Sequence, residues 1–235
     1  MIKEAISYIV GLSQKQQVKI NNQTYSTGQI HLVKEPTASR LEVYSLSGMV
    51  EYIKSEFDGE KPLMVHVKSP TRVVCFDSLN NDADRSYYIE SKAMLPEFDF
   101  DRFLDPEHFN IKLQSAFVQN DDRNIMLQVV GNIEEKQVNT VGDDGVSQGV
   151  TIKTGIATVG QARVPNPVAL KPYRTFVEVE QPVSNFIFRM KSGPLCALFE
   201  ADGGAWKLEA MKNIQEYLQE NLKEEIEAGK VVVIA

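Results

Sequence analysis

The segment Glu200-Ala201-Asp202-Gly203-Gly204-Ala205-Trp206-Lys207 brings two carboxylates, a Gly-Gly pair and an ammonium into one short run. A metal-dependent nuclease or phosphoesterase needs such a set: oxygens to hold a divalent ion and a cation beside the attacking water. Glu200, Asp202 and Lys207 are therefore the candidate catalytic residues. The same run also suits a structural role, with Asp202 capping a helix and the glycines permitting a tight strand-to-helix turn. That structural role is the expected one. A helix start behind Gly-Gly also exposes N–H groups to an anion, but Glu200 and Asp202 would repel it.

Asp143-Asp144-Gly145 is a second acidic spot, and Asp143 and Asp144 are candidate ligands for a hard cation. Neighbouring residues on a strand point to opposite faces, and Asp-Asp-Gly is also a good turn, so a turn is expected. His31, His66 and His108 are far apart and lack partners at zinc-ligand spacing. Cys75 and Cys196 each sit in an apolar stretch and read as buried thiols. Neither a G-x-S-x-G elbow nor a glycine-rich phosphate cradle is present. No cofactor is expected, and the pattern favours a protein that is not an enzyme.

Binding chemistry has a different candidate. Val164-Pro165-Asn166-Pro167 to Lys171-Pro172 cannot be a central strand, because proline lacks the ladder donor. It reads as an extended arm on the surface or on a neighbour. The charged and aromatic run from Arg174 follows it, and such residues are favoured at subunit interfaces. The candidate interface residues are Pro165, Pro167, Pro172, Tyr173, Arg174 and Phe176, and a homo-oligomer is expected.

The elements that must carry these residues can be read from period and punctuation. Residues 2–13 have helical apolar spacing, followed by a hairpin around Asn21-Asn22-Gln23 and a strand over 29–33. Leu46, Met49, Val50, Ile53 and Phe57 share a helical face capped by Ser45. Residues 63–92 switch to three short strands joined by turns, an antiparallel meander. Asp105-Pro106-Glu107 starts a helix with buried Phe109, Leu113, Ala116 and Phe117. Asn120-Asp121-Asp122 starts the next, with Met126, Val129, Val130 and Ile133 inward, and Val150–Lys153 is a strand. Further strands are expected over 175–179, 185–191 and 195–200, the last two joined by Ser192-Gly193-Pro194. A long amphipathic helix then carries Trp206, Ala210, Met211, Ile214, Tyr217, Leu218 and Leu222 on one face, and Val231–Ile234 is a short strand.

Helices and strands in blocks predict an α+β protein with antiparallel or mixed sheets and segregated helices. Two regions are expected, 1–95 and 96–235, or one continuous domain. The chain has 235 residues, 43% of them apolar and 24% charged, and needs no disulfide or metal to fold. A formal net charge of −7 opposes direct nucleic-acid binding. No signal peptide or membrane span is predicted, so a cytoplasmic location is expected.

Leu170-Lys171-Pro172-Tyr173-Arg174-Thr175-Phe176, Glu180-Gln181-Pro182 and Phe199–Trp206 resemble phage and prophage proteins grouped as domain of unknown function 2303. Leu46–Ile53, Leu113–Phe117 and Asp143–Gln148 are similar to the same group, so the likeness runs from about residue 40 onward. It implies a phage origin and a place beside recombination and single-strand-binding genes, and it supplies no catalytic residue to carry over. The reading that follows is a non-enzymatic phage accessory protein acting by self-assembly or by binding a phage or host protein. The alternatives are an accessory factor in phage DNA recombination or replication, and the nuclease or phosphoesterase of the Glu200/Asp202 region. A small-ligand sponge against host defence is a further class.

Overall fold

Local signals open several of the elements, among them the hairpin at Asn21-Asn22 and the helices after Ser45 and Asp105. The computed structural model describes residues 2–13, 16–26, 31–34, 37, 39–131, 142–143, 148–154, 158–163, 166–191 and 195–235. Helix α1 spans Ile2–Ser13, and strands β1 (Gln17–Ile20), β2 (Gln23–Ser26) and β3 (His31–Leu32) follow. Asn21 and Asn22 both take positive φ, which lets a two-residue turn pair Ile20 with Gln23. After β4 (Leu41–Val43) comes α2 (Leu46–Ser55), whose N-cap Ser45 accepts from the Gly48 N–H at 3.1 Å. Strands β5 (Leu63–Ser69), β6 (Arg72–Asp77) and β7 (Tyr87–Lys92) form the expected meander.

Helix α3 (Pro106–Ala116) starts as its residues dictate: the Asp105 carboxylate accepts from the His108 N–H at 3.0 Å, and proline follows the cap. Helix α4 covers Asp121–Gly131, and Ile133 lies outside the described residues. Strands β8 (Gly142–Asp143), β9 (Gln148–Thr154) and β10 (Thr158–Arg163) make a small antiparallel sheet. Then come β11 (Val168–Leu170), β12 (Ser184–Lys191), β13 (Leu195–Glu200), α5 (Trp206–Asn221), α6 (Lys223–Glu227) and β14 (Val231–Ile234). The blocks of helix and strand make this an α+β protein.

Two cores result. One sits under a five-stranded mixed sheet of order β14-β5-β6-β7-β4, with β14 parallel to β5 and β4 parallel to β7. Leu46, Met49 and Ile53 of α2 and Ile214 and Leu218 of α5 bury against Val65, Val67, Val73, Cys75 and Ile89. Residues 206–234 therefore pack with residues 41–92, although far apart in sequence. The other core lies between α3, α4 and the sheet β11-β12-β13, and is rich in phenylalanine. Phe98 meets Phe117 at 4.9 Å edge-on, and Phe100 stacks on Phe186 at 5.3 Å.

Three expectations change. Residues 175–179 form a turn and not a strand, for a reason given below. Phe57 is not on the buried face of α2, because Glu56 adopts a left-handed conformation (φ 49°) that ends the helix and throws Phe57 out. The described part of the proline-rich arm is an edge strand: Val168 and Leu170 are fully buried and pair with Phe186 and Ser184. Edge position is what the flanking prolines allow.

Candidate functional site

The two segments singled out from sequence meet in space around one guanidinium. Arg174 follows β11, Glu200 ends β13, and Trp206 opens α5. Only a tenth of the Arg174 side chain is exposed. Its Nη1 donates to Glu200 Oε1 and its Nη2 to Ser184 Oγ of β12. The guanidinium plane lies over the Trp206 ring at 4.0 Å, with Phe186 and Phe100 at 5.6 and 5.8 Å. Burial lowers the Arg174 pKa, while Glu200 and Asp202 act to raise it.

Asp202 does not cap α5. Its Oδ1 accepts from the Gly204 N–H at 3.0 Å, and the helix starts after Ala205 with no side-chain cap. Gly203 and Gly204 both take positive φ, which is why the turn after β13 needs them. Burial pushes the Asp202 carboxyl up, but the Ser184 hydroxyl, the Gly204 N–H and Arg174 outweigh it and hold it below the usual 3.8. Lys207 is exposed in the first turn of α5. So Glu200 is ion-paired with a buried arginine and Asp202 braces the turn. Glu200 Oε1 is thus taken by Arg174, and a metal bound to Glu200 would sit beside a guanidinium charge.

Among the described residues no three His, Cys, Asp or Glu side chains stand ready for a metal. Asp143 lies on β8 opposite Gln148, and Asp144 is outside the described residues. His108 bonds Asp105 Oδ2 at 2.7 Å. Burial raises both the Cys75 and Cys196 thiols to about 12, with Asp77 and Asp105 adding to the effect. Neither is a thiolate at neutral pH.

Of the residues read as a subunit interface, Pro172, Tyr173, Arg174 and Phe176 lie at a seam between the two cores of one chain. Pro165 falls outside the described residues, and Pro167 is exposed at the start of β11. Pro172 is buried and bridges to Phe117, and the Tyr173 N–H donates to Ala116 O at 2.9 Å. Phe176 is 1% exposed and plugs the core beneath the five-stranded sheet. Gln181 folds the loop: its Oε1 accepts from the Arg174 and Thr175 N–H groups at 3.0 and 3.2 Å, and its Nε2 donates to Phe176 O at 2.9 Å. That side chain takes the donors a strand partner would have taken, so 175–179 turns. Glu178 then reaches α2 of the same core, accepting from the Leu46 and Ser47 N–H groups at 2.8 Å each, at the positive end of that helix.

Sequence reasoning missed Ser184, Gln181 and Glu178. Single polar residues in a run of proline and valine gave no spacing signal. It also missed the surface that does stand open. Every residue from Ile2 to Leu12 of α1 is exposed, including Ile2 at 79%, Ile9 at 64% and Leu12 at 70%. Among the described residues no helix is long and apolar enough to cross a membrane. No family model, curated protein or solved structure matches the chain.

Proposed function

We propose that this chain is a phage- or prophage-encoded accessory protein of the host cytoplasm that acts without catalysis, by self-assembly through α1. The exposed apolar stripe of α1 carries the reading. Ile2, Ile6, Ile9 and Leu12 recur at helical spacing, so they share one side of the helix. A lone helix of about 12 residues is marginal in water and gains most of its stability from packing its apolar face. The occupant proposed is the same face of a second copy. Lys3 and Glu4 are the helix's only charges, one of each sign, so two copies bring no net repulsion. The phage origin rests on the resemblance of the 170–176, 180–182 and 199–206 segments.

Light scattering behind a sizing column tests it. The native mass should be a defined multiple of 26.4 kDa. Replacing Ile6 and Ile9 together by glutamate should yield a monomer that still unfolds in one cooperative transition, since neither side chain is buried in the chain's own cores. A wild-type monomer would remove the proposal.

A further inference from the structure

We propose that the free edge of β1 pairs antiparallel with β1 of a second copy, Val18 opposite Val18, so that the α1 contact continues into a sheet shared by two chains. The proposal rests on the assembly of α1 and names the second element that completes it. Strand β1 begins at Gln17, just past the end of α1 at Ser13. Gln17, Val18, Lys19 and Ile20 are all exposed, and among the described strands β1 pairs with β2 alone. The two-residue turn at Asn21-Asn22 makes Ile20 and Gln23 the bonded pair that closes the hairpin. Antiparallel pairing alternates, so Ile20 and Val18 bond β2 while the N–H and C=O groups of Lys19 and Gln17 point the other way. Among the described residues nothing bonds those groups. The sheet β11-β12-β13 treats its edges differently. Leu104 exchanges bonds with Cys196 of β13 at 2.9 and 2.8 Å, and Asn120 and Asp122 take Ala169 of β11 at 2.8 and 2.7 Å.

A row of outward backbone groups is met by an extended strand of another chain. Area, packing and charge make that strand the one in a second copy. Helix α1 has 12 residues, so it is about 18 Å long and about 10 Å across. One side of it falls short of the roughly 800 Å² per partner that a specific interface buries. Assembly through α1 therefore calls for more surface, and the adjoining strand supplies it. Val18 and Ile20 lie on one face of β1, 38% and 52% exposed, and self-pairing sets Val18 beside Val18 to widen that apolar patch. Charge selects the register. Lys19 directly opposite Lys19 would set like charges together, whereas Val18 opposite Val18 puts Lys19 across from Gln17 of the other copy. In that register Gln17 and Lys19 form the bonded pairs and exchange their outward N–H and C=O groups. An edge lysine guards against pairing in general, and here it leaves one register open.

Amide hydrogen exchange on the full chain tests this, with wild type set against the monomeric Ile6→Glu/Ile9→Glu variant. The Gln17 and Lys19 amides should exchange at least about tenfold more slowly in the assembly. Val18 and Ile20, bonded to β2 in both, serve as references. Lys19→Pro removes only an outward N–H and spares the bonds to β2, so it should raise the dissociation constant about tenfold. Protection kept at Ile20 marks an intact hairpin in that variant. Lys19→Ala retains the N–H and should assemble as wild type does. A wild-type multimer whose Gln17 and Lys19 amides exchange as fast as in the monomer would overturn the pairing and leave the α1 contact standing. So would a Lys19→Pro chain that keeps its hairpin and assembles as tightly as wild type. A wild-type monomer would remove both.

Discussion

The loop 172–182 and helix α1 treat their apolar side chains in opposite ways. The loop has no regular hydrogen-bond ladder, yet Pro172, Phe176 and Pro182 are buried and only Val177 is well exposed among its large apolar groups. Helix α1 satisfies its own backbone and leaves its isoleucines in water. The difference lies in polar accounting. Irregular backbone can enter a core when side chains supply the missing partners, and Gln181 does so for Arg174, Thr175, Phe176 and Val179. A helix needs no such help, so its backbone does not decide whether its apolar face is covered. An apolar run is thus a poor guide to which surface meets a partner until its backbone bonds have been traced.

Three experiments would break or sharpen that contrast. Phe176→Ala should have the largest effect, a loss of about 3–5 kcal/mol from a cavity at the seam. Urea unfolding would show it as a lower midpoint at unchanged slope, and a shift under about 1 kcal/mol would mean the seam does not hold the cores together. Glu178→Gln comes next, at about 1 kcal/mol, because α2 loses the charge on its first N–H groups. Faster amide exchange at Leu46 and Ser47 should accompany it, and slow exchange there would count against the cap.

The smallest effect concerns acid. The folded Asp202 carboxyl sits below 3.8, so its contribution is complete above that pH and is lost as pH falls through the lower folded value. Largely solvent-screened, it should amount to a few tenths of a kcal/mol. The stability gap between wild type and Asp202→Asn should stay constant from about pH 7 to 5 and close below about pH 4. No gap at neutral pH would show that Asp202 stabilises the turn by its shape, which asparagine keeps, and not by charge.

Much of the fold was legible because its signals are local. Ser45 and Asp105 fix helix starts through their own side chains, Asn21-Asn22 turns a hairpin by tolerating positive φ, and 63–92 pairs its strands through short turns. The α+β class followed from the order of those pieces. Phe57 misled because its place on the helical face was right, while a left-handed Glu56 decided where the helix stopped. Residues 175–179 misled because their valines suit a strand, while Gln181 took the donors a neighbouring strand would have used.

The candidate sites depended on long-range neighbours. Glu200, Asp202 and Lys207 were visible as chemistry, and Arg174 as an interface residue, but nothing in their spacing said that Arg174 would pair with Glu200. The sequence by itself determined most of the elements, the caps at Ser45 and Asp105 and most of the apolar faces, because these depend on residues within a turn or two. Tertiary structure decided which charges are met and which apolar faces stay open, because desolvation and pairing depend on what arrives from elsewhere in the chain.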